Sequence, residues 1–138
     1  MAEKLCKLKK KGGGELKETT LWTNSSPSSA FSAQTVSLSQ TVNNFKFIKI
    51  IFYNSTSQDE STETIISTSK LKALSNNTNS ANFYRGASPA YFSSNVAQIR
   101  EFYYSNTTTI GFTSTFRVNN ATSGSNSNCI PYKIIGIN

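Results

Sequence analysis

The stretch Phe45-Lys46-Phe47-Ile48-Lys49-Ile50-Ile51-Phe52-Tyr53 carries the strongest strand pattern in the chain and decides the predicted fold. Alternate side chains of a β-strand point to opposite faces of its sheet. The apolar side chains divide into Phe45, Phe47, Ile51 and Tyr53 on one face and Ile48, Ile50 and Phe52 on the other. The run therefore predicts a central strand with both faces largely buried, under a second layer of its own domain or against a neighbouring subunit as well.

Shorter strand patterns lie on both sides of this run, separated by loops rich in Ser, Asn and Gly. The further predicted strands are Leu16–Thr23, Ala33–Leu38, Glu63–Ser69, Asn82–Arg85, Val96–Tyr104, Thr108–Val118 and Ile130–Ile137. No amphipathic helix of useful length is visible, and residues 70–81 have the composition of a surface loop. These patterns predict an all-β protein, an antiparallel β-sandwich of which a jelly roll is one form.

More specific predictions follow for two of these strands and for one aromatic residue. Parity places four apolar side chains of the strand Thr108–Val118 on one core face, namely Ile110, Phe112, Phe116 and Val118. Pro131 lies near the start of the closing strand, where its missing N–H is tolerated at a sheet edge. For Trp22, the only tryptophan, packing in or beside the core is favoured over stacking on a ligand, because buried area dominates what aromatic side chains contribute.

The chain of 138 residues is long enough for one domain with one modest core. Residues 1–14 are predicted to form a separate basic arm, because Gly12-Gly13-Gly14 supplies a flexible joint before the folded part. The arm residues expected to dock on a partner are Leu5, Cys6, Leu8, Lys9, Lys10 and Lys11. A solvated tail that only aids solubility is the alternative interpretation of the same charges. Residues 15–138 are predicted to form the sandwich.

The composition argues against an enzyme. The chain has no histidine, which is the commonest general base and the commonest nitrogen ligand of zinc, so Ser-His-Asp, Cys-His and mixed zinc sites are excluded together. Asp59, Glu60 and Glu63 share one polar stretch, whereas the acid pair of a glycosidase faces across a cleft. Cys6 and Cys129 fit neither a disulfide framework nor a metal motif. We therefore expect no catalytic residue, no cofactor and no metal.

The formal net charge of +7 would attract nucleic acid, anionic polysaccharide or an acidic protein surface. The predicted sandwich, however, lacks the dense interleaving of basic and aromatic residues that is typical of nucleic-acid-binding domains. No stretch of the sequence is long and apolar enough to span a membrane. Neither a nucleic acid nor a membrane is expected as a partner.

Two segments of the sequence resemble a small module of tailed-phage structural proteins. Leu21-Trp22-Thr23-Asn24-Ser25-Ser26-Pro27-Ser28-Ser29-Ala30-Phe31-Ser32-Ala33-Gln34-Thr35-Val36 is similar to the opening of that module, and Ile130-Pro131-Tyr132-Lys133-Ile134-Ile135-Gly136-Ile137 is similar to its close. Such modules sit at the C-terminal ends of tail-fibre, head-fibre and other virion-surface proteins. The resemblance covers about Leu21 to Asn138 and brings no catalytic residues with it. Unlike long fibres, this chain has no shaft between the arm and the module.

The resemblance implies a non-enzymatic structural protein of the virion, with the arm docked on the capsid or tail and the sandwich displayed as a capsid decoration, head fibre or tail-fibre tip. Expected partners are other virion proteins, further copies of the chain in a homo-oligomer, with a trimer as the expected state, and a host-surface glycan if the module is a tip. The alternative function is a free-standing carbohydrate-binding or adhesin domain.

A set of aromatic and basic side chains is predicted to form a glycan-binding or subunit surface. The set is Tyr84, Arg85, Tyr91, Phe92, Tyr103 and Tyr104. Tyr and Arg suit such surfaces because they combine a large contact area with directional polar groups. Packing of the same side chains in the core or between subunits is the alternative.

Overall fold

The structure is a computed structural model that describes residues 15–74, 86–87, 91–93, 96–118 and 122–138, with the backbone alone described at 86–87 and 91–93. The strands within these ranges are β1 Glu18–Thr23, β2 Gln34–Ser37, β3 Phe47–Ser55, β4 Ser61–Ser67, β5 Gly86–Ala87, β6 Tyr91–Ser93, β7 Val96–Ile99, β8 Glu101–Asn106, β9 Thr109–Phe112, β10 Phe116–Arg117 and β11 Asn128–Ile137. Two short helices, a 3-10 turn Val42–Asn44 and α1 Thr68–Lys72, complete these elements.

The strands form three sheets in which the neighbouring strands are antiparallel. Sheet A has the order β1-β11-β3-β4, sheet B has the order β2-β9-β8-β5, and the smaller sheet C has the order β10-β7-β6. Sheets A and B pack face to face, because the ring centroid of Phe52 in sheet A lies 6.4 Å from that of Phe102 and 6.1 Å from that of Phe112 in sheet B. The prediction of an antiparallel all-β sandwich is confirmed.

The core lies between sheets A and B and is centred on β3. Ile48, Ile50 and Phe52 are buried on the inner face of this strand, as the alternation of the sequence predicts. Ile134 of β11 lies directly opposite Ile50 and is also fully buried. Full burial of one such side chain contributes about 1.5–3 kcal/mol. These Ile and Phe side chains therefore make a large contribution to the stability of the core.

The prediction that both faces of the Phe45–Tyr53 run are largely buried is wrong for the second face within this chain. Phe47 is 43% exposed there, and Ile51 is half-buried. Phe45 does not share that face, since the 3-10 turn Val42–Asn44 ends directly before it and β3 begins only at Phe47. Phe45 instead lies in the core, where its ring covers Gly136 of β11 so closely that a Cβ on that glycine would overlap it.

Pro131 is not at a sheet edge as predicted, because β11 lies between β1 and β3 in the middle of sheet A. The register between β11 and β3 shifts between Pro131 and Lys133, which is a β-bulge next to the proline. Bulges are another place where a missing N–H is tolerated within a sheet. The carbonyl of Pro131 accepts a hydrogen bond of 3.0 Å from Asn24 Nδ2.

Two of the predicted strands are each divided in the structure. Val96–Tyr104 is interrupted at Arg100, which separates β7 of sheet C from β8 of sheet B. Thr108–Val118 is interrupted at residues 113–115, so Ile110 and Phe112 are buried whereas Val118 is 52% exposed. Alternation alone does not reveal where a chain passes from one sheet to another.

The loop predicted at residues 70–81 begins instead with the end of helix α1. Ser67 Oγ caps this helix by accepting a hydrogen bond of 3.3 Å from Lys70 N, and Leu71 is fully buried. The rest of that loop and the predicted strand Asn82–Arg85 lie outside the described residues, apart from Ala73 and Leu74.

We expect Gly136→Ala to lower the free energy of unfolding by about 1–3 kcal/mol, because the added methyl group overlaps the ring of Phe45 in a packed core. Urea denaturation followed by circular dichroism measures the loss. Phe45→Leu makes room for the methyl group, so the double variant should be less destabilised than the sum of the two single variants. Strict additivity of the two substitutions would contradict this contact.

Candidate functional site

Most of the predicted site residues lie outside the described residues. This holds for the arm residues Leu5, Cys6, Leu8, Lys9, Lys10 and Lys11, and for Tyr84 and Arg85. Tyr91 and Phe92 belong to strand β6, whose backbone pairs with β7. Their role in a glycan or subunit surface therefore stays a prediction.

Tyr103 and Tyr104 are neighbours on β8 and consequently belong to opposite faces of sheet B. Tyr104 packs against the core. Tyr103 lies on the outer face, directly opposite Gly111 of β9, and its ring covers that glycine. The two tyrosines lie on different faces of sheet B and both are partly exposed, so a surface contact of either one stays a prediction.

The outer face of sheet A is defined here by Phe47, Lys49, Ile51, Ile65, Ile135 and Ile137. Its exposed apolar side chains are Phe47 and Ile65, whereas Ile51 is half-buried and Ile135 and Ile137 are buried within the chain. The strand register places Lys49 of β3 directly between Ile65 of β4 and Ile135 of β11. Ile65 is 58% exposed. A sheet face in water normally carries polar residues at these positions, so this face differs from an ordinary solvated surface.

Lys49 is the charged centre of the outer face. Its Nζ lies 2.7 Å from Glu18 Oε1 on β1 and 4.0 Å from Glu63 Oε1 on β4. The lysine side chain is 12% exposed, whereas those of Glu18 and Glu63 are about half exposed. A lysine in this position covers apolar neighbours with its aliphatic stem while the ammonium group reaches a carboxylate. The ion pairs thus fix Lys49 across the surface and leave both glutamates accessible.

The second candidate site, called here the Trp22 cleft, lies between the end of β1, the 24–31 loop and β2, and has a volume of about 420 Å³. Trp22 forms part of its wall and packs against the core with the rest of its ring, 6.3 Å from Phe31 and 6.2 Å from Phe112 between centroids. Core packing of Trp22, as predicted, is confirmed. The same side chain also lines an open cleft.

The polar residues of the Trp22 cleft are amides and hydroxyls. They are Asn24, Ser25, Ser26, Ser29, Gln34 and Thr35. Asn24 is fixed at both ends of its amide, because Nδ2 donates to Pro131 O at 3.0 Å and Oδ1 accepts from Ser26 N at 2.9 Å. Gln34 makes only a long bond, 3.4 Å from Nε2 to Ser32 O. The cleft therefore combines a fixed wall with an amide that can turn toward a ligand.

A second cleft of about 390 Å³ lies on the other side of β2. It shares Gln34 and Thr35 with the Trp22 cleft and is also lined by Tyr103. Thr35 lies directly opposite Gly111, the residue that the Tyr103 ring covers. The two clefts thus meet at strand β2, which is an edge strand of sheet B.

Arg100 is fully buried beneath the Trp22 cleft. Its Nε donates to Cys129 O at 2.8 Å, Nη1 donates to Thr113 O, and its guanidinium carbon lies 5.2 Å from the ring centroid of Phe31. Burial lowers the pKa of Arg100 to about 10, an effect partly opposed by Cys129. The side chain is still a cation at neutral pH. Arg100 thus connects the segment that follows β9, strand β11 and the aromatic floor of the cleft.

The acidic residues Asp59, Glu60 and Glu63, which are close in sequence, do not share one site in the structure. Among the described residues, no group of three His, Cys, Asp or Glu side chains could hold a metal ion. Asp59 and Glu60 lie in the exposed turn between β3 and β4, where they bind Ser57 and Asn54. Glu63 faces Lys49 instead. In the same part of the chain, no helix has the length and hydropathy of a membrane-spanning segment.

Sequence reasoning missed the Trp22 cleft. A usable signal was present, because an aromatic residue is followed by an uncharged run of Ser, Thr, Asn and Gln up to Val36. The same composition is also typical of loops. What makes it a cleft is that β1 and β2 belong to different sheets.

The sequence matches no protein-family model and no curated protein.

We expect Arg100→Met to lower the free energy of unfolding by about 3 kcal/mol, because it leaves the carbonyl groups of Thr113 and Cys129 without this donor. The matched control is Arg117→Met, which removes an exposed arginine of β10 and should change stability by less than about 0.5 kcal/mol. Urea denaturation of both variants measures the difference. Equal effects would contradict a supporting role of Arg100.

Proposed function

We propose that the protein is a non-enzymatic structural module of a tailed-phage particle, which assembles with copies of itself and is displayed at the particle surface. The observation that carries the proposal is the outer face of sheet A, a sheet surface built from Phe and Ile side chains around one lysine. The resemblance of residues 21–138 to virion modules is the reason for proposing a phage particle as the assembly.

The outer face has the properties of a surface that packs against protein. Exposed apolar residues on one sheet face, with a polar rim, are typical of subunit contacts. The charges of this face have both signs, because Lys133 of one copy can meet Glu18 or Glu63 of another, while Lys49 stays in the ion pairs of its own chain. A second copy of the chain therefore fits this face better than a partner of one charge sign. This supports the homo-oligomer that is predicted from the apolar residues on both faces of the Phe45–Tyr53 run.

The path of the chain suits display. Lys17 and Asn138 hydrogen-bond to each other through both backbone groups, at 3.2 and 3.1 Å, so the arm is joined to the sandwich at this end. Strand β1 then runs from Glu18 to Thr23, about 17 Å at the usual rise per residue, to the end that carries the Trp22 cleft. An arm docked on the particle would leave that far end facing outward.

We expect Phe47→Ser/Ile65→Ser to convert the oligomer to a monomer, because it removes the two large exposed side chains of the outer face. Sedimentation velocity at several concentrations measures the mass. Val118→Ser is the control, since Val118 is equally exposed but follows β10 of sheet C. A wild-type protein that stays monomeric at high concentration would refute the oligomer, and a mass other than three subunits would refute the trimer.

We expect gold-labelled antibody against this protein to mark intact particles in electron microscopy, and deletion of residues 1–14 to abolish the label without unfolding the sandwich. Circular dichroism of the shortened protein checks the fold. Label on the head indicates a decoration or head-fibre protein, and label at the tail tip indicates a host-recognition part. Absence of label on wild-type particles would overturn the particle role and favour a free-standing carbohydrate-binding domain. Normal labelling after deletion would refute docking through the arm.

A further inference from the structure

We propose that the Trp22 cleft binds a neutral carbohydrate chain. The inference depends on the geometry and chemistry of the cleft and is independent of assembly through the outer face of sheet A. It assigns a ligand class to the cleft that Trp22 lines together with the 24–31 loop and β2.

The size and the aromatic wall of the cleft suit a sugar ring. Clefts of about 300–1,000 Å³ are typical of small-ligand sites, and this one measures about 420 Å³. Trp22 is half-buried and lines the cleft. One face of a pyranose consists of C–H groups, which pack on the flat ring of a tryptophan while its hydroxyl groups stay at the rim.

The polar groups of the cleft match sugar hydroxyl groups. A hydroxyl both donates and accepts, so it is best bound by amides and other hydroxyls. Among the described residues, Gln34 Oε1, Ser29 Oγ and the Trp22 indole N–H have no hydrogen-bond partner within the protein. Ser29 and Gln34 are exposed residues of the cleft, so their free groups can bond a ligand without first breaking a protein contact. On binding, each of these protein groups exchanges its hydrogen bond to water for one to the sugar.

The absence of charge from the cleft selects a neutral ligand. Residues 22–36, which supply its described lining, contain no Asp, Glu, Lys or Arg. A site for sulfated or uronic acid sugars, or for phosphate, would be expected to carry Arg or Lys. The net charge of +7 lies elsewhere in the chain. Anionic polysaccharide is therefore attracted to the protein in general, and not to this cleft.

The cleft is held in shape by contacts within the protein. Asn24 is bonded to Pro131 O and Ser26 N, and Phe31 N donates to Asn126 O at 2.9 Å. Arg100 supports Phe31 from below. A preformed site loses less conformational entropy on binding than a mobile loop does. The loop residues 24–31 therefore act as a wall of fixed position.

The neighbouring cleft indicates a chain of sugars and not one ring. Gln34 and Thr35 belong to both clefts, and Tyr103 supplies the second one with an aromatic side chain. Trp22 and Tyr103 thus lie on either side of β2. An oligosaccharide that crosses this edge strand would contact both aromatic residues, which gives a longer ligand a higher affinity than a monosaccharide.

Trp22 also makes the test specific, because it is the only tryptophan in the chain. Tryptophan fluorescence of the full-length protein is recorded during titration with cello-, malto-, xylo- or mannohexaose, each up to about 10 mM. These concentrations detect binding free energies on the order of −3 to −6 kcal/mol. We expect a saturable change in intensity or wavelength with at least one hexaose. No saturable change with any of the four would overturn the proposal.

Two variants locate the site. Gln34→Ala should weaken binding of the active hexaose about 5- to 10-fold, the usual effect of one neutral hydrogen bond. Gln40→Ala removes an exposed glutamine outside the cleft and should leave the affinity unchanged. Thermal unfolding shows that both variants are folded, and Ser29→Ala provides a second test of the same wall. Equal affinities of wild type, Gln34→Ala and Ser29→Ala would overturn the cleft as the site.

The ligand class has its own test. Heparin and polygalacturonate oligosaccharides of matched length are titrated under the same conditions at about 0.15 M salt, where general attraction to the basic chain is reduced. We expect these acidic oligosaccharides to bind in the Trp22 cleft more weakly than the neutral hexaose that gives a saturable change. Tighter binding of either acidic oligosaccharide would overturn the neutral class. The oligomer measured by sedimentation is unaffected by each of these outcomes, so failure here and failure of self-assembly are distinguishable.

Discussion

Strand β11 is hydrogen-bonded on both sides, to β1 and to β3, and this double pairing brings the beginning, the middle and the end of the chain into one sheet. Loop closure over so many residues costs conformational entropy. It is offset by burial of Ile134 against Ile50 and by the contact of Phe52 with two phenylalanines of sheet B. Sheets B and C are arranged around these three paired strands of sheet A. Without β11, β1 would have no neighbour in sheet A.

Much of this arrangement could be predicted from alternation. Ile48, Ile50 and Phe52 repeat every second residue, and that period alone identifies the buried face of β3. Local pattern could not locate the ends of strands. Phe45 has the parity of the outer face but turns inward, because a 3-10 turn ends next to it. Arg100 likewise interrupts an apparently continuous strand. The sequence does not reveal this interruption, because a buried arginine whose donors bind carbonyl groups cannot be recognised from its neighbours in sequence.

The candidate sites were less predictable than the fold. Composition predicts one shared surface for Tyr103 and Tyr104, yet adjacent residues of a strand point to opposite faces, so the two side chains lie on different sides of sheet B. The Trp22 cleft depends on β1 and β2 lying in different sheets, a fact of topology that composition does not contain. The outer face of sheet A was predictable in part, because the apolar second face of β3 indicates that something must cover it.

The ladder between β1 and β11 also has a mechanical consequence. If the chain is tethered through residues before Glu18 while the Trp22 cleft holds a ligand, a pull between the two acts along the length of β1. The hydrogen bonds of an antiparallel pair are perpendicular to the strands. The pull therefore loads the bonds of β1 together, in shear, instead of opening them one at a time as in a zipper. With the tether and the ligand placed in this way, the line of tension coincides with the direction in which the paired strands best resist separation.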